Sequence, residues 1–156
     1  MTQSEQLITS FYLAFQNRDY KTMQHCYADD AVFNDEVFSN LNANEVRAMW
    51  EMFCVKGKDL KIEFSGVNAD ETSGSAEWIA SYTFSKTNRK VLNHIKANFT
   101  FRNGKIATHN DSFNFYNWAR QALGVTGFLL GWTSLVKSKV QKEGMKNLKN
   151  FMDREL

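Results

Sequence analysis

Residues 99–113 read FTFRNGKIATHNDSF (Phe99–Phe113). Apolar and polar residues alternate ahead of Asn103-Gly104, the dipeptide best suited to a tight hairpin turn. The same two-residue period runs upstream. Asn93, Ile95, Ala97, Phe99 and Phe101 oppose His94, Lys96, Asn98, Thr100 and Arg102. Ala76, Trp78, Ala80, Tyr82 and Phe84 oppose Glu77, Ser81 and Thr83, and Leu60, Ile62 and Phe64 alternate with Lys61, Glu63 and Ser65. Turn residues fall at Asn68–Gly74 and Thr87–Lys90. Strands with one apolar face joined by short turns make an antiparallel meander.

The first sixty residues have a helical period instead. Leu7, Ile8, Phe11, Tyr12, Ala14 and Phe15 form a stripe on a helix over 3–17. Asp19 caps a short second helix carrying Met23, Cys26 and Tyr27, followed by an extended run from Ala31 to Asp35. Asn42 and Glu45 form a capping box ahead of Val46, Met49, Trp50, Phe53 and Cys54, and Gly57 closes that helix. Helices followed by a meander give an α+β class. After Phe115, Tyr116–Leu123 reads as helix, Gly127–Gly131 as a loose apolar link, and Trp132, Val136, Val140, Leu148 and Met152 as the stripe of a last helix.

Composition narrows the function classes. The chain has 156 residues, 43% hydrophobic, with a net charge of +2. That length fits one domain with a substantial core, and the charge is too small to call for a nucleic-acid partner. Charge is unevenly spread. Residues 1–115 carry 12 basic and 14 acidic side chains, whereas residues 116–156 carry 7 basic and 3 acidic. No proline occurs, so Gly, Asn and Asp must make the turns. Cys26 and Cys54 form neither a metal quartet nor a disulfide framework and read as packing residues. The N-terminus lacks the basic and apolar regions of a secretory signal, so a cytoplasmic location is expected. There is no phosphate loop, nucleophile elbow or HExxH, and a metal would need more convergent ligands than His109, Asp111 and Asp35. No cofactor and no metal are expected. His25 and His94 read as surface residues.

FYLAFQNRDYKTMQHCYADDAVFNDEVFS (Phe11–Ser39), with its helix, N-x-x-D link, second helix and ADDAVF strand, resembles the opening of the NTF2-like superfamily, which includes ketosteroid isomerase and the SnoaL-type polyketide cyclases. The segment FTFRNGKIATHNDSF resembles that family's closing hairpin. The resemblance covers about residues 4–116. It implies a cystatin-like cone in which three N-terminal helices lean on a curved antiparallel sheet, with a pocket at the wide end. The SnoaL-like domain would then occupy residues 1–115. Residues 116–156 would be a basic helical extension packing on the same domain or on a dimer mate, and a homodimer is expected. By the same resemblance the isomerases' proton-abstracting aspartate falls at Asp35, whereas their two oxyanion donors fall at Phe11 and Ala97. Steroid isomerisation by that mechanism is not expected. Tyr12 points about 100° around the helix from Phe11 and is a poor substitute.

His109 and Asp111 are two apart on a strand and share a face. A two-residue turn at Asn103-Gly104 would set His109 opposite Asn98 and Asp111 opposite Lys96, on the polar side. A three-residue loop with Gly104 as a bulge would set His109 opposite Ala97 and Asp111 opposite Ile95, facing inward, and would bury Phe113 and Phe115. The second register is the expected one. SnoaL-type cyclases carry a similar H-x-D pair with the aspartate as acid/base. Two ionisable groups on an apolar face need a reason, so Asp35, His109 and Asp111 are the candidate catalytic residues. Phe11, Phe15, Phe33, Trp50, Phe53, Trp78, Tyr82, Ile95, Phe99 and Phe113 are the expected pocket lining.

The expected ligand is a small apolar organic molecule, and the expected chemistry, if any, is acid/base isomerisation, cyclisation or hydration. The alternative is a non-catalytic ligand-binding or dimerisation module of the same fold. A membrane partner is not expected: the apolar stretch Leu123–Val136 is too short to span, and glycines at 124, 127, 131 and 144 weaken a rigid amphipathic anchor.

Overall fold

The computed structural model describes residues 1–154. Helices α1 (Gln3–Gln16) and α2 (Tyr20–His25) lead into strand β1 (Tyr27–Asn34) and helix α3 (Ala43–Lys56). Strands β2 (Lys61–Ala69), β3 (Ser73–Phe84), β4 (Arg89–Arg102) and β5 (Lys105–Ser112) follow. Helices α4 (Phe115–Leu123), α5 (Val125–Leu130) and α6 (Ser134–Asp153) end the described chain. The architecture is α+β: three N-terminal helices on a curved five-stranded sheet of order β1-β5-β4-β3-β2, with a helical C-terminal extension. Strands β2 to β5 are antiparallel neighbours, and β1 joins the edge parallel to β5.

The helix ends follow from their caps. Thr2 and Asn42 each accept from the backbone three residues on, and Glu5 and Glu45 accept from the backbone of the capping residue in return. These pairs use amides that the helix itself leaves unbonded. Asp19 caps α2 in the simpler way, through Thr22 N. Arg18, held at φ 58°, turns back from α1 and donates to the carbonyls of Cys54, Gly57, Lys58 and Leu60. It thereby satisfies the frayed end of α3 and fixes α3 against α1.

The core lies between the helices and the inner sheet face. β4 alternates buried and exposed almost throughout, and Phe11, Tyr12, Phe15, Met49, Trp50, Phe33 and Phe99 pack together from opposite sides. Cys26 and Cys54 are free and buried, and burial pushes both thiols up to about 11, so neither is a poised nucleophile.

Two expectations are corrected here. The segment from Val125 to Leu130 is a short helix rather than a loose link. On the last helix, Leu148 and Phe151 join the core, while Trp132 is 75% exposed and lies outside the stripe. Helix α6 crosses the loop after β1. Lys137 Nζ meets Glu36 Oε1 at 2.9 Å, Gln141 Nε2 donates to Glu36 O at 3.1 Å, and Val37 sits so close to Gly144 that an added Cβ would meet it at 2.7 Å.

Candidate functional site

Strand β5 carries the polar centre, and its register differs from the expected one in an instructive way. Asn103 and Gly104 both have positive φ (54° and 75°), the signature of a two-residue turn, and Arg102 pairs with Lys105. The three-residue loop is therefore not formed. The extra residue enters further along: Phe101 pairs with Ile106 and Thr100 with Thr108, leaving Ala107 as a bulge. Beyond it His109 pairs with Phe99 and Asp111 with Ala97, two residues along β4 from the expected partners and so still on the inner face. The physical reason is Ile106. A bulge in the turn would have set it opposite Thr100 on the solvent face, whereas a bulge at Ala107 buries Ile106 completely and turns His109 and Asp111 inward as well. Phe113 is half-buried, and Phe115 reaches the interior as the first residue of α4.

His109 is wholly enclosed and Asp111 nearly so. Hydrogen bonds run in a single line through them. Trp50 Nε1 donates to Tyr27 Oη at 2.8 Å, Tyr27 Oη meets His109 Nδ1 at 2.8 Å, and His109 Nε2 meets Asp111 Oδ1 at 2.8 Å. One assignment gives each hydrogen in the line its own acceptor. The tyrosine hydroxyl donates to Nδ1, and the imidazole carries its proton on Nε2 and donates it to the carboxylate. The line thus delivers three donors toward Asp111, whose other carboxyl oxygen has no hydrogen bond among the described residues.

Aromatic rings hold this line in place. Tyr27 and Trp50 stack on the imidazole at 6.1 Å, Phe99 lies 4.3 Å away, and Phe33 and Phe11 meet it edge-on at 5.0 and 5.8 Å. Phe11, Phe15, Phe33, Trp50, Trp78, Ile95 and Phe99 all belong to one buried core cluster. Phe53, Tyr82 and Phe113 are half-buried around them, and the Tyr82 hydroxyl accepts from Trp118 Nε1 at 2.7 Å. A groove of about 310 Å³ lies on the solvent side of the sheet, among Glu63, Ser65, Glu77, Ile79, His94 and Lys96.

Asp35 stands just past the end of β1. Its Oδ1 accepts from the amides of Val37 and Phe38, both at 2.7 Å, and its own amide donates to Phe38 O at 2.9 Å. Its Oδ2 has no hydrogen bond among the described residues. Desolvation pushes the carboxyl up to about 7, against the pull of the two amides, and the charges of Asp111 and Glu36 add to the rise. The structure thus brings Asp35 into the electrostatic reach of Asp111. His109 acts on Asp111 and has both ring nitrogens engaged within the fold.

Two participants were not singled out in the sequence. Tyr27, expected on the second helix, opens β1 instead. A tyrosine inside an apolar stripe needs a partner for its hydroxyl, and that need was the available signal. Tyr12 also proves to be fully buried beside Phe11, so both residues face inward. Its hydroxyl and Trp78 Nε1 are the buried side-chain polar atoms without a hydrogen-bond partner among the described residues. Burial, helped by the charge of Asp111, holds the Tyr12 hydroxyl well above the usual phenol range.

Comparison with known proteins fits this geometry. The family model described as the SnoaL-like domain matches residues 8–109. The chain belongs to the SnoaL-like family. Curated proteins give no match. Solved structures with the same NTF2-like fold include the LEH-like epoxide hydrolase of M. tuberculosis, at 19% identity and TM-score 0.62, covering 81% of this chain and 95% of that one. IdmH, a proposed polyketide cyclase from Streptomyces antibioticus, is 18% identical with TM-score 0.65, covering 80% of this chain and all of that one (100%). A protein of ketosteroid isomerase-like fold from Catenulispora acidiphila, in complex with trimethylamine, is 10% identical with TM-score 0.65, covering 81% and 96%. At these identities the likeness is one of fold. It leaves the chemistry of this SnoaL-like chain to its own residues.

Proposed function

We propose that this SnoaL-like protein binds a small, largely apolar organic molecule and carries out cofactor-independent general acid–base chemistry on it, with Asp35 transferring the proton. The observation that carries this reading is the Asp35 carboxyl. It is lifted to about 7 beside Asp111 and keeps one oxygen free of hydrogen bonds. A group that titrates near neutrality both accepts and returns a proton readily, which is what isomerisation, cyclisation and hydration require. Asp111 is the second carboxyl. His109 is a positioning residue, fixing Asp111 through Nε2 while Tyr27 and Trp50 fix the imidazole. The names of the similar structures, an epoxide hydrolase and a proposed cyclase, belong to the same reaction classes.

A second reading, a non-catalytic ligand-binding module, is favoured by the closely packed rings around His109, which leave the imidazole no free face. A carboxyl-carbon NMR titration together with turnover assays separates the two. Catalysis predicts an Asp35 midpoint near 7 that drops in Asp111→Asn. It also predicts conversion of aliphatic epoxides or unsaturated ketones that Asp35→Asn abolishes while the fold stays intact. An Asp35 midpoint in the ordinary carboxylate range, unmoved by Asp111→Asn, would overturn it.

A further inference from the structure

Helix α5 is turned inside out. Its small residues face the protein: a Cβ on Gly127 would fall 1.9 Å from Ala119 O, and one on Gly131 would fall 2.9 Å from the Ala119 Cβ. The two glycines, one helical turn apart, let α5 lie directly on α4 and force its large side chains outward. Val125, Phe128, Leu129, Leu130, Trp132 and Leu135 are 49–79% exposed, six large apolar residues within eleven positions. The segment is also pinned. Tyr116 Oη donates to Phe128 O at 2.9 Å, Trp132 Nε1 to Leu129 O at 3.0 Å, and Thr133 Oγ1 to Leu130 O at 2.6 Å. The glycines that argue in the sequence against a rigid anchor are, in the fold, what holds one rigid.

The segments that carry and flank the patch are basic in sequence, and the acid against them on α6, Glu36, is paired with Lys137. No acidic residue occurs between Asp111 and Glu143, nor between Glu77 and Asp111. Arg120 flanks the patch on α4, and Lys139 is exposed one turn beyond Leu135. The guanidinium of Arg89 lies beside Gly124, and Lys86 is exposed on the same β3–β4 turn, which Thr87 ties to Ala122 O. We propose that the α5–α6 junction docks this protein onto an anionic lipid bilayer surface, with the apolar side chains entering the acyl boundary and the basic rim meeting lipid phosphates. A tryptophan among aliphatic residues with lysine and arginine around them suits that boundary, and the patch is too short to span it. A second copy is the weaker occupant, because a twofold contact through this patch would set the basic rim against itself. This inference stands independently of the acid–base reading.

Trp132 reports the event directly, since Trp50, Trp78 and Trp118 are buried. The full chain is mixed with vesicles of phosphatidylcholine and phosphatidylglycerol in roughly a 7:3 ratio, and with phosphatidylcholine alone, and followed by co-sedimentation and tryptophan emission. Docking predicts co-sedimentation and a blue shift with the anionic vesicles, both weakened by salt. Phe128→Ser with Leu129→Ser should lower partitioning about tenfold or more at an unchanged melting temperature. Arg120→Glu with Lys139→Glu, which leaves α5 intact, should remove the preference for anionic lipid. Equal or absent sedimentation with both vesicle types overturns the proposal. So does a concentration-dependent dimer that Phe128→Ser with Leu129→Ser dissociates.

Discussion

The interior of β5 and the outer side of α5 both break the usual partition of residues, in opposite directions. At His109 and Asp111 the fold places ionisable groups inside. At α5 it places leucines, a phenylalanine and a tryptophan outside. The difference lies in compensation. Burying a polar group is costly unless it is bonded, and the interior supplies a continuous line of bonds from Trp50 through Tyr27 and His109 to Asp111. Nothing in the described chain covers the exposed patch, which is the ground for proposing a docking surface there. A rule broken with internal compensation builds a site, whereas one broken without it marks a surface that meets something else.

Substitutions test both halves of this contrast. Trp50→Ala should have the largest effect, about 3–5 kcal/mol of lost stability by chemical denaturation, because it empties a large core volume and removes the first donor of the line. Next comes the pH dependence set by Asp35. Its carboxyl is raised in the folded protein, so folding binds a proton that the unfolded chain releases, and stability should fall as pH rises from about 4 to about 7. The fall is bounded at about 4 kcal/mol and is reduced by whatever solvent reaches this half-buried group. Asp35→Asn should flatten that part of the stability–pH curve. Tyr27→Phe keeps the ring but leaves Trp50 Nε1 and His109 Nδ1 unpaired, at a cost of about 1–3 kcal/mol read as a lower melting temperature. Trp132→Ser should change stability by no more than about 0.5 kcal/mol, since its ring is mostly in solvent. A large loss there would mean the patch is structural, and the contrast would collapse.

Much of the fold was legible because it depends on local chemistry. The capping boxes at Thr2/Glu5 and Asn42/Glu45 and the alternation in β4 act over a few residues, and the sequence carries them openly. The bulge at Ala107 was not legible. Alanine has no conformational signature there, and the sequence points to Gly104 for the extra residue, whose left-handed φ instead serves a two-residue turn. The inward face of His109 and Asp111 was therefore reached from the wrong bend. Ile106 carried the missing clue: with Ile106 and His109 both inside, three positions apart, a regular two-residue period must be interrupted between them. The packing of the aromatic residues was illegible for a different reason. Aromatic residues that can line a cavity can equally fill it, and only the ring-to-ring distances decide which.

The crossing of α6 over the loop after β1 has a consequence for comparisons within the family. The family match ends at residue 109, yet Lys137, Gln141 and Gly144 lie against the residues that adjoin Asp35. The loop whose amides hold that carboxyl is thus braced by a segment beyond the family match. An aspartate aligned with it in a shorter homologue would inherit the position without inheriting the environment.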